Sequence, residues 1–375
     1  MAKKSPKDVK ELFSELIKIS LGVFEKLSEE PTVRQWQALF DMAEQQALLG
    51  VCFPGCRQLV EQGILVPEQV YYEWLAQAGI IHQQNEQLNR ESSEIIQMVL
   101  GKGYKCSVLK GQATASLYDG ELKTLRQSGD IDIWVVEVPN KTITLGRSIG
   151  RVYYYDYHHA DLAFFPETEI EMHYRPTLSR NLLRNARLQQ WFKQEGEKLI
   201  DCHNDIGFPV PRADFNLILT LNHNFWHLLY EGVGLRQMMD LYFILRNGMT
   251  EADRERAKPL LKRFMLQRFA RASMWVMQEV FGLEKKYMIC QSDAKSGKFL
   301  LNEIMIAGNF GHYDPRLSRR GSNRLILMGI WIKHTMRLLR QYPIDVLWTP
   351  LGVLYISLWR RCHYLFDKQI HYDKR

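Results

Sequence analysis

The sequence predicts an α+β fold, a small mixed β-sheet flanked by an N-terminal and a C-terminal helical region. Three observations carry that prediction. Apolar residues recur at three- and four-residue steps through 8–100. Between 101 and 178 this period gives way to short, β-branched runs punctuated by Gly and Pro. Beyond 180 the helical spacing returns.

In the first region Val9, Leu12, Phe13, Leu16, Leu21 and Phe24 keep helical steps, as do Trp36, Leu39, Phe40 and Ala43. Pro67 opens a long helix carrying Trp74, Leu88, Ile95, Ile96 and Val99, because Pro suits a first turn where its missing N–H would have no partner. Gly101 and Gly103 end it. A strand follows at 104–109, then Lys110-Gly111 and one or two helical turns within 112–119. Residues 130–136 form a β-branched strand suited to a buried sheet. Further strands are expected at 152–157, 161–165 and 169–174, the last two joined as a hairpin by Pro166-Glu167-Thr168. Helices are expected at 180–195, 212–230, 234–247, 251–282 and 295–307, a loop at 310–322, and a basic-aromatic helix at 323–341. No solenoid-period repeat is visible. The organisation read from this is 1–100 helical, 101–178 an α/β core, 179–310 helical, and 311–375 a basic-aromatic tail.

The composition excludes wholesale disorder, a collagen-like repeat and coiled-coil low complexity: of 375 residues, 46% are hydrophobic and 24% charged. A formal charge of +7 tolerates an anionic partner without requiring one. The cysteines, at 52, 56, 106, 202, 290 and 362, lack metal-finger pairing, which fits free thiols in a reducing cytoplasm. The basic N-terminus through Lys7 is not followed by an apolar signal segment. The most apolar stretch, 344–359, is interrupted by Asp345, Pro350 and Gly352 and falls short of a bilayer span.

The chemistry concentrates at Gly129-Asp130-Ile131-Asp132-Ile133. Residues two apart on a strand share a face, so both carboxylates project together. Like charges held close need neutralising, and a divalent cation such as Mg²⁺ does this with carboxylate and phosphate oxygens. The plain alternative is a solvent-facing Asp-x-Asp on an edge strand. Glu169, Glu171 and His173 alternate with Ile170 and Met172, so a second strand can offer Glu171 to the pair.

Val108-Leu109-Lys110-Gly111, Leu117-Tyr118, Arg126, Gly129-Asp130-Ile131-Asp132 and Ile170-Glu171-Met172-His173-Tyr174 occur in that order. This set resembles the uncharacterised bacterial nucleotidyltransferase family of the DNA polymerase beta-like nucleotidyltransferase superfamily. The resemblance extends over residues 35–250, including 235–241. It implies a nucleotidyltransferase-like sheet core and Mg²⁺- or Mn²⁺-dependent transfer of a nucleoside monophosphate from a nucleoside triphosphate to an acceptor hydroxyl. It further implies that Asp130, Asp132 and Glu171 hold the metal and carry catalysis, and that Lys110, Gly111 and Arg126 bind the nucleotide. The superfamily usually has Ser after this glycine; here Gln112 stands there. The competing reading is a non-catalytic nucleotide-binding or interaction protein that keeps the fold.

Other signals are weaker. His158, His159 and His173 suit a polar lining better than a zinc site, since adjacent histidines give poor ligand geometry. His223 and His227 lack the glutamate of a zincin helix and read as helix-surface or packed residues. Asp240 is expected to cap or pair within the helical region. Arg319, Arg320, Arg324, Lys333, Arg337 and Arg340 alternate with apolar residues ahead of Trp348, Tyr355 and Trp359. Such a tail reads first as a helix packed on the protein, then as an interfacial segment on anionic lipid, and third as an RNA contact.

Overall fold

The computed structural model describes residues 8–196, 198, 202–317 and 324–366, so the N-terminus through Lys7 and the pair Arg319 and Arg320 lie outside the described residues. Four helices come first: α1 (Val9–Ser20), α2 (Val33–Gln45), α3 (Leu49–Glu61) and α4 (Glu68–Gly101). Thr32 starts α2 with a capping box, its hydroxyl accepting from Gln35 N while the Gln35 side chain accepts from Thr32 N. Pro67 does immediately precede α4, as expected.

The sheet core contains β1 (Cys106–Leu109), α5 (Lys110–Ala115), α6 (Leu122–Leu125), β2 (Asp130–Val135), α7 (Pro139–Ile149), β3 (Arg151–Tyr155), β4 (His159–Ala163) and β5 (Glu169–His173). Its order is β1-β2-β5-β4-β3, with β2 and β5 parallel and the other neighbours antiparallel. The mixed α+β architecture is therefore as predicted. Two local features differ. Strand β4 begins at His159 rather than 161, because the Asp156 carboxylate accepts from the N–H groups of His158 and His159 and tightens the preceding turn. Helix α7, which the strand-like neighbourhood hides, starts with Pro139 in its first turn.

The helical remainder comprises α8 (Leu182–Gly196), α9 (Ala213–Tyr230), α10 (Leu235–Phe243) with a π-turn at Ile244–Gly248, α11 (Glu251–Arg263), α12 (Gln267–Phe281), α13 (Ala294–Ala307), α14 (Arg324–Leu339) and α15 (Pro343–Phe366). The single helix expected over 251–282 is two. Met265 takes φ 53° and Leu266 N donates to Leu261 O at 2.8 Å, a left-handed helix ending without its usual glycine. Arg184 then captures the freed carbonyls, with Nε 2.8 Å from Phe264 O.

Two apolar clusters hold the sheet. On one face Ile131, Ile133, Ile170 and Met172 pack with Ile95 and Val99 of α4 and Ile143 of α7. On the other, Leu109 and Trp134 join a core shared by the N-terminal and C-terminal helices. Trp134 stacks on Phe215 at 5.3 Å, laying α9 over the face that carries Asp130 and Asp132. Helix α15 closes over the sheet's end. Trp359 meets Tyr157 edge-on at 5.5 Å, the Tyr364 hydroxyl donates to Tyr155 O at 2.6 Å, and Asp345 pairs with buried Arg184. Gly352 permits the approach, since a Cβ there would stand 2.2 Å from Arg180 O. No helix among the described residues is long and apolar enough to cross a membrane.

Candidate active site

Sheet register assembles the site. Asp132 lies opposite Glu171 across the parallel β2–β5 pair, and Asp161 lies opposite Glu171 across β4–β5. His159 and His173 face each other one step along. Pleating turns all of these toward one face, with Asp130 two residues before Asp132.

The chain leaves β1 through a tight turn in which Lys110 has φ 42° and Gly111 φ 22° with ψ −112°. Only glycine takes the latter conformation cheaply, and the turn swings Lys110 across β2. Its Nζ lies 2.7 Å from Asp132 Oδ1. His173 Nε2 lies 2.7 Å from that same oxygen and 3.1 Å from Glu171 Oε2. Ligand atoms of Asp132, Glu171 and His173 lie within 4.8 Å of one another. Asp130 lines the same cavity but is not one of that set.

Electrostatics separate the carboxylates. Burial, with the charges of Asp132 and Glu171 adding to it, pushes Asp130 up to about 6. Burial acts the same way on Asp132 and Glu171, but is outweighed. Lys110 and His173 hold Asp132 below the usual carboxylate range, and His173 and His159 hold Glu171 well below it. Lys110 itself is raised, since the three carboxylates overcome its burial. Lys110, His173 and His159 thus compensate Asp132 and Glu171, while Asp130 is penalised for ionising. Asp132, Glu171 and His173 form an acidic and histidine donor set of the kind that holds a metal ion.

Arg126 sits in the cavity wall with its fork filled. Its Nε and Nη2 donate to the two oxygens of Asp240 at 2.7 and 2.8 Å, and Nη1 donates to Ser128 Oγ at 2.7 Å. The Tyr118 hydroxyl donates to Asp240 as well, at 2.8 Å. Asp240, expected to pair within the helical region, thus ties α10 to the loop before β2.

One turn earlier on α10 stands Arg236, to which the sequence assigns no role of its own. It lines the cavity, donates to Gln127 O at 3.2 Å and lies over the Phe310 ring. Burial and the nearby Arg126 charge lower its pKa, and no carboxylate pairs with it among the described residues. Its sequence signals are a place within the resembling segment 235–241 and a position two residues after Gly234 at a helix start.

The cavity, about 550 Å³, runs from this acidic row to a second wall made by α9 and α15. His223 and His227 belong to that wall rather than to an outer helix surface. His227 Nδ1 is 2.7 Å from Glu231 and its Nε2 is 2.9 Å from His223 Nε2, and burial lowers both imidazoles. Trp226, Arg180 and Ile356 line the same end, with Trp226 Nε1 lacking a hydrogen-bond partner among the described residues.

The adjacent histidines converge more than their sequence suggests. Ring nitrogens of His158, His159 and His173 gather within 4.8 Å, because the turn at Asp156 folds His158 back beside His159 and the register brings His173 opposite. All three are engaged by carboxylates: His173 by Asp132 and Glu171, His158 through Nδ1 2.8 Å from Asp156, and His159 through Nε2 3.0 Å from Asp161. Burial works against protonation of His159, but Asp161, Glu171 and Asp156 raise it to about 9.

The family model described as an uncharacterised nucleotidyltransferase matches residues 32–282, a span that includes every residue of the acidic row, Lys110, Arg126 and Asp240. No curated protein matches the chain.

Proposed function

The chain belongs to the uncharacterised nucleotidyltransferase family, and we propose that it moves a nucleoside monophosphate from a nucleoside triphosphate to an acceptor hydroxyl in a reaction dependent on Mg²⁺ or Mn²⁺. The observation that carries the reading is the register pair Asp132–Glu171 with Asp130 on the same face, opening into one cavity beside Lys110.

Asp130, Asp132 and Glu171 would hold the cation, which when bound supplies charge neutralisation at the phosphates and a more acidic acceptor hydroxyl. Lys110 and Arg236 take phosphate oxygens, Gly111 brings the backbone close to them, and Arg126 adds positive charge from the wall while Asp240 fixes its plane. The acceptor oxygen bonds to the α-phosphorus as the α–β bridging bond breaks, and pyrophosphate leaves. Glu171 is 29% exposed in its side chain against 3% for Asp132, so it is the better placed to take the acceptor's proton. The α9–α15 end of the cavity receives the acceptor.

A second reading is a non-catalytic nucleotide-binding protein, favoured by Lys110 already standing on Asp132 and by Gln112 in place of a phosphate-binding serine. Incubation with labelled nucleoside triphosphates and Mg²⁺ separates the two. Catalysis predicts Mg²⁺-dependent pyrophosphate release that Asp132→Asn abolishes; tight nucleotide binding without any release supports the second reading instead.

A further inference from the structure

Half of the exposed large apolar side chains among the described residues, 13 of 26, belong to α14 and α15. On α15 six of the eight form one stripe. Ile344, Leu347, Leu351, Leu354, Leu358 and Leu365 follow one another at steps of three, four or seven and are 50–80% exposed. The opposite face, through Asp345, Thr349, Gly352 and Trp359, is the one packed on the protein. The tail therefore does fold onto the body as its sequence suggests, yet only by one side. Helix α14 packs beside α15 and adds Met328, Trp331, Ile332 and Met336, each 46–59% exposed.

The exposed charge of this region is basic, although Arg316 is paired with Glu303 and Asp314 and Arg337 with Glu303. Residues 315–366 hold nine Lys and Arg against a single acid, Asp345, which is buried against Arg184. Lys333, Arg340 and Arg361 are exposed beside the apolar stripe. Trp331 and Tyr355 are half exposed, the residue types that settle at a headgroup boundary. A partner for this face must offer both an apolar layer and negative charge. Neither helix can cross a bilayer, so contact must lie in its plane.

We infer that α14 and α15 form a docking surface for an anionic lipid bilayer, with α15 lying along the headgroup boundary and its apolar stripe buried in the acyl layer. Because Ile356, Ser357 and Arg360 of the same helix line the cavity, docking sets the acceptor end of the site beside the membrane.

Sedimentation of the full chain with vesicles tests this. Binding to vesicles of mixed phosphatidylcholine and phosphatidylglycerol should exceed binding to phosphatidylcholine alone by on the order of tenfold or more, and should weaken with salt. The triple variant Leu347→Gln, Leu351→Gln, Leu354→Gln should lose it while keeping its circular dichroism and pyrophosphate release. Should that variant misfold, Lys333→Gln with Arg340→Gln and Arg361→Gln, which touches only exposed charges, should erase the preference for phosphatidylglycerol. Wild-type protein that stays in the supernatant with both vesicles overturns the inference. So does a dimer that the leucine variant dissociates and that ignores vesicles, since a second copy then covers the face.

Discussion

Replacing Asp130 by Asn tests the electrostatics of the acidic row without changing its shape. In the metal-free protein Asp130 sits near Asp132 and Glu171, and its pKa rises from 3.8 to about 6. A carboxyl whose folded pKa is raised binds protons more tightly in the folded state, so its contribution is fully present below 3.8 and is lost as pH climbs through about 6. At neutral pH the ionised group costs at most about 3 kcal/mol, and its partial opening to the cavity trims this to about 1–3 kcal/mol. Asn removes that cost, so Asp130→Asn should melt higher than wild type in chelator, by roughly a few degrees. It should also lose most of the stabilisation that Mg²⁺ gives wild type, since a ligand stabilises only through the sites that hold it. Differential scanning calorimetry in chelator and in Mg²⁺ reads both effects. A variant that melts lower than wild type in chelator, or that keeps the full Mg²⁺ shift, refutes the reasoning.

Lys110→Met removes the ammonium on Asp132 and should destabilise the chelated protein by about 1–3 kcal/mol in urea, with Mg²⁺ restoring part of the loss. Asp240→Asn breaks the buried fork with Arg126 and the Tyr118 bond, and urea unfolding should show a loss of about 3–5 kcal/mol whether or not nucleotide is present. His159, raised to about 9 by its carboxylate neighbours, contributes stability that is full below 6.5 and lost as pH rises through about 9. Chelated wild type should accordingly lose more stability across that alkaline window than His159→Gln, as followed by melting temperature against pH.

Much of this site is legible in the sequence because its geometry is local. Period-2 alternation puts Asp130 with Asp132, and Glu171 with His173, whatever the rest of the chain does. The resemblance drawn over residues 35–250 lies within the 32–282 span that the family model matches. What stays hidden depends on long-range pairing. Nothing in the sequence sets β5 parallel to β2, so the opposition of Asp132 and Glu171 emerges only in the sheet. Arg126 finds Asp240 across 114 positions, a pairing that no local pattern in the sequence announces. His223 and His227 join the cavity because Trp134 draws α9 over the sheet through Phe215. The break at Met265 escapes notice for another reason: the apolar period runs on across it, and the helix ends without a glycine.

The central claim, that the acidic row is a metal and triphosphate site, is tested most directly by locating the metal. Anomalous diffraction from crystals grown with Mn²⁺ and a non-hydrolysable nucleoside triphosphate should place a peak on carboxylate oxygens of Asp130, Asp132 and Glu171. Lys110 should then have moved from Asp132 to the phosphates. A peak held instead by His158, His159 and His173, or a triphosphate bound away from Lys110 and Arg236, would contradict the account.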